Sequence, residues 1–418
     1  MDDVMNQDYF NLLIKNAQGR RKSLSLFCPK TKTDGEIIPL TYVKNEDLKK
    51  VNFFDVNELE NEKISDTLSV NIRVVKMQGG LGSSVKRDDV IRKYEGRTTL
   101  GSKGTDLYYL TKEFGPISIS NLQLLQTAKL QNSENVSEVK FQFLVNDETH
   151  DVVMNSFKSL DNNLLPEILS PIVQKKMPTL DGSDILTEER KAPAGHGFIA
   201  YKEVYDAITS SNDEIVCIGN GEDLNSTPDI KILNYMKINK LPILMITTTK
   251  TKQDMKGGQI AIKRTPFGDC LTIFEKAQAE ESGQLKYFEE LGLREGDSPA
   301  YFNTNVALIN SEALRSNFKT LGMEAKEFMG QIQPEVIKNV KEQRGKKFTQ
   351  LESAMGSILL NMNAFFVETV GKSILTVINI PEEDRHKIFL PIKTRSDYDE
   401  YLEKYVVSPD SCRLVPKK

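Results

Sequence analysis

Short apolar runs alternate along the chain with stretches whose apolar residues recur every three or four positions. Asn71-Ile72-Arg73-Val74-Val75-Lys76-Met77 is β-branched and runs into Gly79-Gly80-Leu81-Gly82, which predicts a strand stopping in a tight loop. Further strand-like runs lie at 151–157, 214–219, 241–249, 258–264, 270–274 and 306–310, and helical spacing at 200–209 and 230–238. This alternation predicts a mostly parallel sheet covered by helices, and the extra strands after 258 predict a β-rich insertion. Residues 1–70, charged and irregular after a helix-like start at 9–17, read as an N-terminal extension; 71–405 read as one α/β body and 406–418 as a C-terminal tail. The stretch 397–405 reads as an acidic helix, and 338–347, with five basic residues and no interleaved aromatics, as a solvated helix end or loop.

Composition narrows the classes. The chain has 418 residues, 39% apolar and 27% charged, so a sizeable core is available. Lys+Arg 55 against Asp+Glu 59 gives −4, with no electrostatic footprint for nucleic acid. The polar start Met1-Asp2-Asp3-Val4 is not a secretory leader, and no run approaches the roughly 18 apolar residues of a membrane span, so a soluble cytoplasmic protein is expected. Cys28, Cys217, Cys270 and Cys412 are far apart without a C-x-x-C, which suits a reducing compartment and argues against a disulfide framework or a zinc knot. No G-x-S-x-G elbow and no H-E-x-x-H is present, which disfavours those hydrolases.

Three loops could carry chemistry. Gly79, Gly80 and Gly82 follow a strand, where backbone N–H groups can approach a phosphate, although the loop is neither a Walker A nor a full G-x-G-x-x-G and also reads as a structural turn. Ala192-Pro193-Ala194-Gly195-His196-Gly197 brackets a histidine with glycines ahead of a helix beginning near 199, which favours a binding role over a structural one. Ile218-Gly219-Asn220-Gly221-Glu222-Asp223-Leu224-Asn225 places two carboxylates after a strand, where they could hold Mg²⁺ shared with substrate phosphates or simply form an acidic turn. Lys103, Lys256 and Lys393 matter only alongside such loops.

Together these residues resemble the eukaryotic-type UTP:glucose-1-phosphate uridylyltransferase (UDP-glucose pyrophosphorylase) family, in order from about 74 to about 405. Val75-Lys76-Met77-Gln78-Gly79-Gly80-Leu81-Gly82 resembles its V-K-L-N-G-G-L-G, Val153-Met154-Asn155-Ser156-Phe157 its L-M-N-S-F strand, and Pro193-Ala194-Gly195-His196-Gly197 its P-P-G-H-G. Gln174 ahead of Pro178 is similar to the Q-x-x-x-P segment whose glutamine reads uracil. Lys250-Thr251-Lys252-Gln253-Asp254-Met255-Lys256-Gly257-Gly258 looks like K-T-x-A-D-V-K-G-G, and Phe302-Asn303-Thr304-Asn305 like F-N-T-N. Gln350-Leu351-Glu352-Ser353-Ala354-Met355-Gly356 resembles Q-L-E-T-A-x-G, and Phe389-Leu390-Pro391-Ile392-Lys393 resembles F-L-P-V-K.

The resemblance implies a Rossmann-like, glycosyltransferase-A-like nucleotidyltransferase domain that forms UDP-glucose and pyrophosphate from UTP and glucose 1-phosphate with Mg²⁺. By resemblance Gly79, Gly80 and Gly82 cradle the nucleotide phosphates, Lys103 stands beside the departing pyrophosphate, Gln174 pairs with uracil, and Gly195 and His196 line the junction with the sugar phosphate. Glu222 would help hold Mg²⁺, Lys256 and Lys393 would contact the sugar phosphate, and Asn220, Glu275 and Asn305 would bind the sugar. The chain departs from the pattern in three ways. No K-S follows the glycine loop and an insertion follows Lys86, which leaves Lys103 beyond it as the best equivalent and Lys86 as the alternative; Glu222 replaces the aspartate of N-x-D-N-L-G; and the family's C-terminal β-helix is not recognisable, so the oligomeric state is open. Galactose 1-phosphate or N-acetylglucosamine 1-phosphate as substrate, or a catalytically weakened nucleotide-sugar-binding protein, are the alternatives. A D-x-D glycosyltransferase is disfavoured, because Asp397-Tyr398-Asp399 falls in the acidic helix.

Overall fold

The computed structural model describes residues 2–17, 37–40, 45–59, 69–82, 85–133, 135–157, 160, 165–183, 185–249, 251, 254, 258–274, 285–288, 300–332, 334–343 and 345–417. Its central sheet is built from β1 (Phe53–Asp55), β2 (Val70–Met77), β3 (Val136–Val145), β4 (Glu167–Ile168), β5 (Ile215–Asn220), β6 (Ile243–Thr249), β7 (Tyr301–Asn310) and β8 (Leu375–Ile380). They lie in the order β1-β8-β6-β7-β5-β2-β3-β4. β7 runs antiparallel to β5 and β6, whereas the remaining pairs are parallel. The expected mixed, mostly parallel α/β sheet is present.

The period of two in each strand decides which face a side chain covers. Val216 and Ile218 of β5, Ile243 and Met245 of β6, and Ala307 and Ile309 of β7 enter one core. Their neighbours Ile215, Cys217, Leu244, Ile246, Val306 and Leu308 enter the core on the opposite face. The helices that position the site are α1 (Asp2–Ala17), α2 (Lys103–Asp106), α3 (Ile119–Leu130), α4 (Gly197–Thr209), α5 (Ile230–Ile238) and α6 (Met355–Val370). α4 and α6 close the first core with Phe198, Val204, Ile358 and Phe366, and α5 contributes Ile232, Leu233 and Met236 to the second.

Residues assigned to the N-terminal extension contribute to this body. Tyr9 and Leu13 of α1 are buried in the first core, where the Tyr9 ring packs edge-on against Phe198 at 5.7 Å, and β1 pairs in parallel with β8. The β-rich additions after 258 are also present. Gln259–Thr265 and Gly268–Phe274 form a hairpin attached to β7 at Gln259↔Phe302. A separate four-stranded sheet contains Leu186–Pro193, Lys176–Leu180, Lys346–Glu352 and Ile337–Gln343 in that order.

Two local expectations are corrected. The segment 151–157 is helical, as His150–Ser156, rather than a strand. Asn146 Oδ1 accepts the N–H groups of Glu148 at 2.8 Å and Thr149 at 3.1 Å, an Asx turn that bends the chain ahead of the helix, and His150 N–H then donates to Asn146 O at 2.9 Å, so helical bonding starts here against the valines' strand preference. The basic stretch 338–347 is not a helix end or loop but most of a β-hairpin, Ile337–Gln343 with Lys346–Glu352. Gly345, at φ +72°, supplies the left-handed residue of its turn, and lysines on a sheet edge discourage further pairing. Among the described residues no helix is long and apolar enough to cross a membrane, and Cys217, Cys270 and Cys412 are free and buried.

Candidate functional site

β2 lies between β3 and β5, so sheet growth reverses direction across it, the place in an open α/β sheet where ligands bind beyond the strands' C-terminal ends. Met77 is paired with Leu144 on one side and Asn220 on the other, which puts the glycine loop, Asn146 and the 220–225 turn side by side. Gln78 fixes the start of the loop: its N–H donates to Leu144 O at 2.7 Å, and its Nε2 donates to Gly221 O and Ser120 Oγ, both at 3.0 Å. Asn146 Nδ2 donates to Gly79 O, while Gly80 has open space where a Cβ would stand.

Gly82 has φ +56°, and a Cβ there would stand 2.6 Å from Lys103 Cγ. The lysine stem therefore lies over the glycine. The Gly82→Ala variant is expected to lose about 1–2 kcal/mol through the left-handed backbone alone, and more through the collision. Thermal denaturation reads this directly; a midpoint equal to the parent's would show that the loop does not need a glycine at 82.

Ser102 caps α2 by accepting the Thr105 N–H at 3.2 Å, which orients Lys103 at the helix start. Lys103 Nζ donates to Glu222 Oε1 at 3.0 Å and Ile392 O at 2.9 Å. Lys103, rather than the exposed Lys86, reaches the acidic turn. Glu222 O accepts the Ile392 N–H at 3.2 Å, and the buried Asp223 accepts Leu390 N–H at 2.9 Å and Asn225 N–H at 3.2 Å through Oδ1. The Glu222 turn is thereby laced to the 389–393 segment that carries Lys393. Beneath it, Lys76 is fully buried and donates to Ser226 Oγ at 2.8 Å; burial pushes its pKa down and that of Asp223 up. Asn220, half-buried, accepts from Gln123 Nε2 through its carbonyl at 3.2 Å.

On the other side of the glycine loop, Gln174 N–H donates to Val145 O at 2.8 Å and Gln174 Nε2 to Gly195 O at 2.7 Å. Gly195 has φ +78°, and a Cβ there would stand 2.6 Å from Ser353 O, so the loop needs glycine on both counts. His196 is the N-cap residue of α4, and its Nδ1 accepts the Met355 N–H at 3.0 Å. That bond requires an unprotonated Nδ1, which places the proton of the neutral ring on Nε2. Burial lowers the His196 pKa and favours this neutral form, against a weaker opposing pull from Glu222.

Lys393 stands in a neighbouring cluster. Its Nζ lies 3.4 Å from Asp254 Oδ1 and 4.7 Å from the Phe302 ring centroid. Asp254 is buried and held by both arms of Arg385, at 2.5 and 2.9 Å, and by Thr251 N–H at 2.9 Å. Burial alone would raise the carboxyl pKa, but the Arg385 bonds outweigh it and hold Asp254 below the usual carboxylate range. Asn305 sits where the β6–β7 register jumps from Ile246↔Val306 to Thr247↔Asn303. It has φ +58°, a conformation asparagine tolerates, and its Oδ1 accepts from Asn303 Nδ2 at 3.0 Å. Lys256 and Glu275 lie outside the described residues.

The structure thus links Gly79, Gly82, Lys103, Gln174, Gly195 and Glu222 around the ends of β2, β3 and β5, with His196 close enough to feel Glu222. Asn220 and Asn305 share this edge of the sheet, since β5 and β7 are neighbours with Ile218 opposite Ala307. Sequence reasoning missed Gln78, Asp254 and Arg385 as organisers, and read Asp223 as one of two carboxylates that could hold Mg²⁺, whereas its Oδ1 is taken by the Leu390 and Asn225 N–H groups. Asp254 stands inside a recognised motif, and that signal could have found it; Arg385 is 131 positions from its partner and carries none.

The family model described as UTP–glucose-1-phosphate uridylyltransferase matches residues 114–411. Among curated proteins, the UTP–glucose-1-phosphate uridylyltransferase of Astragalus penduliflorus is 26% identical over 400 residues, covering 93% of this chain and 71% of the relative. That of Saccharomyces cerevisiae is 24% identical over 366 residues, covering 85% and 63%. Among solved structures, a UDP-glucose pyrophosphorylase mutant from Leishmania major superposes with a TM-score of 0.66 at 20% identity, covering 98% of this chain and 78% of that one. A UDP-glucose phosphorylase from Trypanosoma brucei gives 0.65 at 21%, covering 97% and 78%. At these identities the structural likeness speaks for the fold, while the family match spans most of the chain: this protein belongs to the UTP–glucose-1-phosphate uridylyltransferase family.

Proposed function

We propose that the protein transfers a uridylyl group from UTP to glucose 1-phosphate, forming UDP-glucose and pyrophosphate. A phosphate oxygen of the sugar phosphate attacks the α-phosphorus of UTP in line; the new P–O bond forms as the bond to the β-phosphate oxygen breaks, and pyrophosphate leaves. The observation that carries this reading is the junction of Gly82, Lys103 and Glu222 at the reversal point of the sheet, in a chain of this family. Two polyanions must be brought together there, and the protein needs positioning and positive charge rather than a nucleophile.

In this reading the N–H groups of Gly79, Gly80 and Gly82 face the nucleotide phosphates, and Lys103 neutralises charge on the departing pyrophosphate. Gln174, already oriented through Gly195 O, offers its Oε1 and remaining amide hydrogen to uracil. His196 donates from Nε2 at the junction of nucleotide and sugar phosphate, Lys393 and Lys256 receive the sugar phosphate, and Asn220, Asn305 and Glu275 bind the sugar.

Among the described residues no group of three or more His, Cys, Asp or Glu side chains could hold a metal by itself. One half-buried carboxylate, Glu222, nevertheless suits Mg²⁺, which usually keeps waters and substrate phosphates as most of its oxygen ligands. When bound with the substrates, Mg²⁺ would offset phosphate charge; the chain's share is to hold Glu222 in place through Lys103 and the Ile392 bond. The free thiols suit a cytoplasmic setting.

Pyrophosphate release from UTP with glucose, galactose or N-acetylglucosamine 1-phosphate tests the proposal. Glucose 1-phosphate is expected to be turned over fastest, and chelation of divalent cations is expected to abolish release until Mg²⁺ is restored. Equal release with all three sugars would remove the glucose assignment, and no release with any would leave a nucleotide-sugar-binding protein.

A further inference from the structure

Arg87 lies in the insertion between the glycine loop and Lys103, in a segment of ordinary charged residues, yet it is fully buried. Every guanidinium N–H has an acceptor. Nε donates to Asp106 Oδ2 at 2.7 Å, Nη1 to Gly82 O at 2.8 Å and Val85 O at 3.1 Å, and Nη2 to Leu81 O and to Gly101 O at 2.9 Å. Four of the five acceptors are backbone carbonyls from the two loops that flank the candidate phosphate site. The fifth belongs to α2, the helix that begins with Lys103.

Asp106 is equally occupied. It is buried, its Oδ2 also accepts Gly101 N–H at 2.9 Å, and its Oδ1 accepts from Arg97 Nη2 and from Thr105 Oγ1 at 3.0 Å. One planar cation therefore gathers the glycine-loop carbonyls on its own side and joins them to the helix that carries the lysine.

We infer that Arg87 is the positioning residue for nucleotide-phosphate binding: it draws the carbonyls of Leu81 and Gly82 inward, away from an anion, and sets Lys103 in register with the loop. Carbonyl oxygens facing the site would repel phosphate. Arg87 turns two of them away while its own charge, sealed from solvent, lies behind the loop. Lysine cannot replace it, because an ammonium has three donors without the planar fork that reaches both loops at once. This inference rests on the uridylyltransferase reading and concerns the UTP side of that site.

The test compares full-length protein with Arg87→Lys and Asp106→Asn. Arg87→Lys keeps a cation beside Asp106, and Asp106→Asn keeps a side chain of the same shape, so two differently perturbed proteins are available should one fail to fold. UTP binding is measured by calorimetry, KM for each substrate by pyrophosphate release, and folding by thermal denaturation.

Loss of the equivalent of one charge-assisted hydrogen bond to the phosphates is expected to weaken UTP binding roughly 10- to 100-fold, with KM for glucose 1-phosphate within about twofold of the parent. Parent-like UTP binding in a folded Arg87→Lys protein would overturn the inference, and so would equal rises in both KM values. Failure of the parent protein itself to bind UTP would instead remove the functional reading.

Discussion

Replacing Lys393 by alanine is expected to reduce turnover about 100- to 1,000-fold, the range seen when one donor to developing charge is removed, while UTP affinity changes little. The Lys393 ammonium stands over the Phe302 face beside a carboxylate already held by both arms of Arg385. Asp254 therefore keeps its main partner when the lysine is lost. Lys393 is 41% exposed at its side chain, so its removal opens no cavity. Its proposed contact is with the sugar phosphate, and in the same proposal UTP falls to the other half of the site. Steady-state rates with each substrate varied in turn separate these effects. Unchanged turnover would discard the assigned role.

Arg73→Met is expected to have the largest effect on stability. Arg73 occupies an interior strand and is buried between Glu203, at 2.6 and 3.0 Å, Glu214, at 3.0 Å, and Gln142, at 2.7 Å. Glu203 is wholly inaccessible to solvent. Removing only the arginine leaves that carboxylate in the interior without its cation, a loss of about 3–5 kcal/mol. The double variant Arg73→Met, Glu203→Leu is expected to recover most of this, because the burden comes from an unpaired buried charge rather than from the absence of an ion pair. Urea unfolding of parent, single and double variants measures both statements; a single variant as stable as the parent would show that Glu203 finds another partner.

How far the sequence could be read follows from the range of the forces involved. β2 and its glycine loop were legible because a β-branched run and glycines bias the backbone locally. The helices 200–209 and 230–238 were legible because their apolar spacing matches one buried face. The helix at 150–156 was misread, since one asparagine side chain four residues upstream decided the matter against the valines. The hairpin at 338–347 was misread because its pairing partner and turn glycine count for more than its charge.

Site residues divide in the same way. Glycines, histidine and lysines within recognisable strings could be named in advance, whereas the contact of Lys103 with Glu222, 119 positions apart, had to wait for the fold. Arg87 could not be found, because nothing in a charged segment distinguishes a buried arginine from a solvated one until the backbone carbonyls around it have been placed.

By itself the sequence determined the alternation of strands and helices, the glycine-bearing loops and the family, all of which depend on residues near one another or on ordered strings. Only the tertiary structure decided which charges are buried and paired: Arg73 with Glu203, Arg87 with Asp106, Arg385 with Asp254. The reason is that a charge leaves water only where a partner and enough acceptors already stand, and those arrive from parts of the chain that come together only on folding.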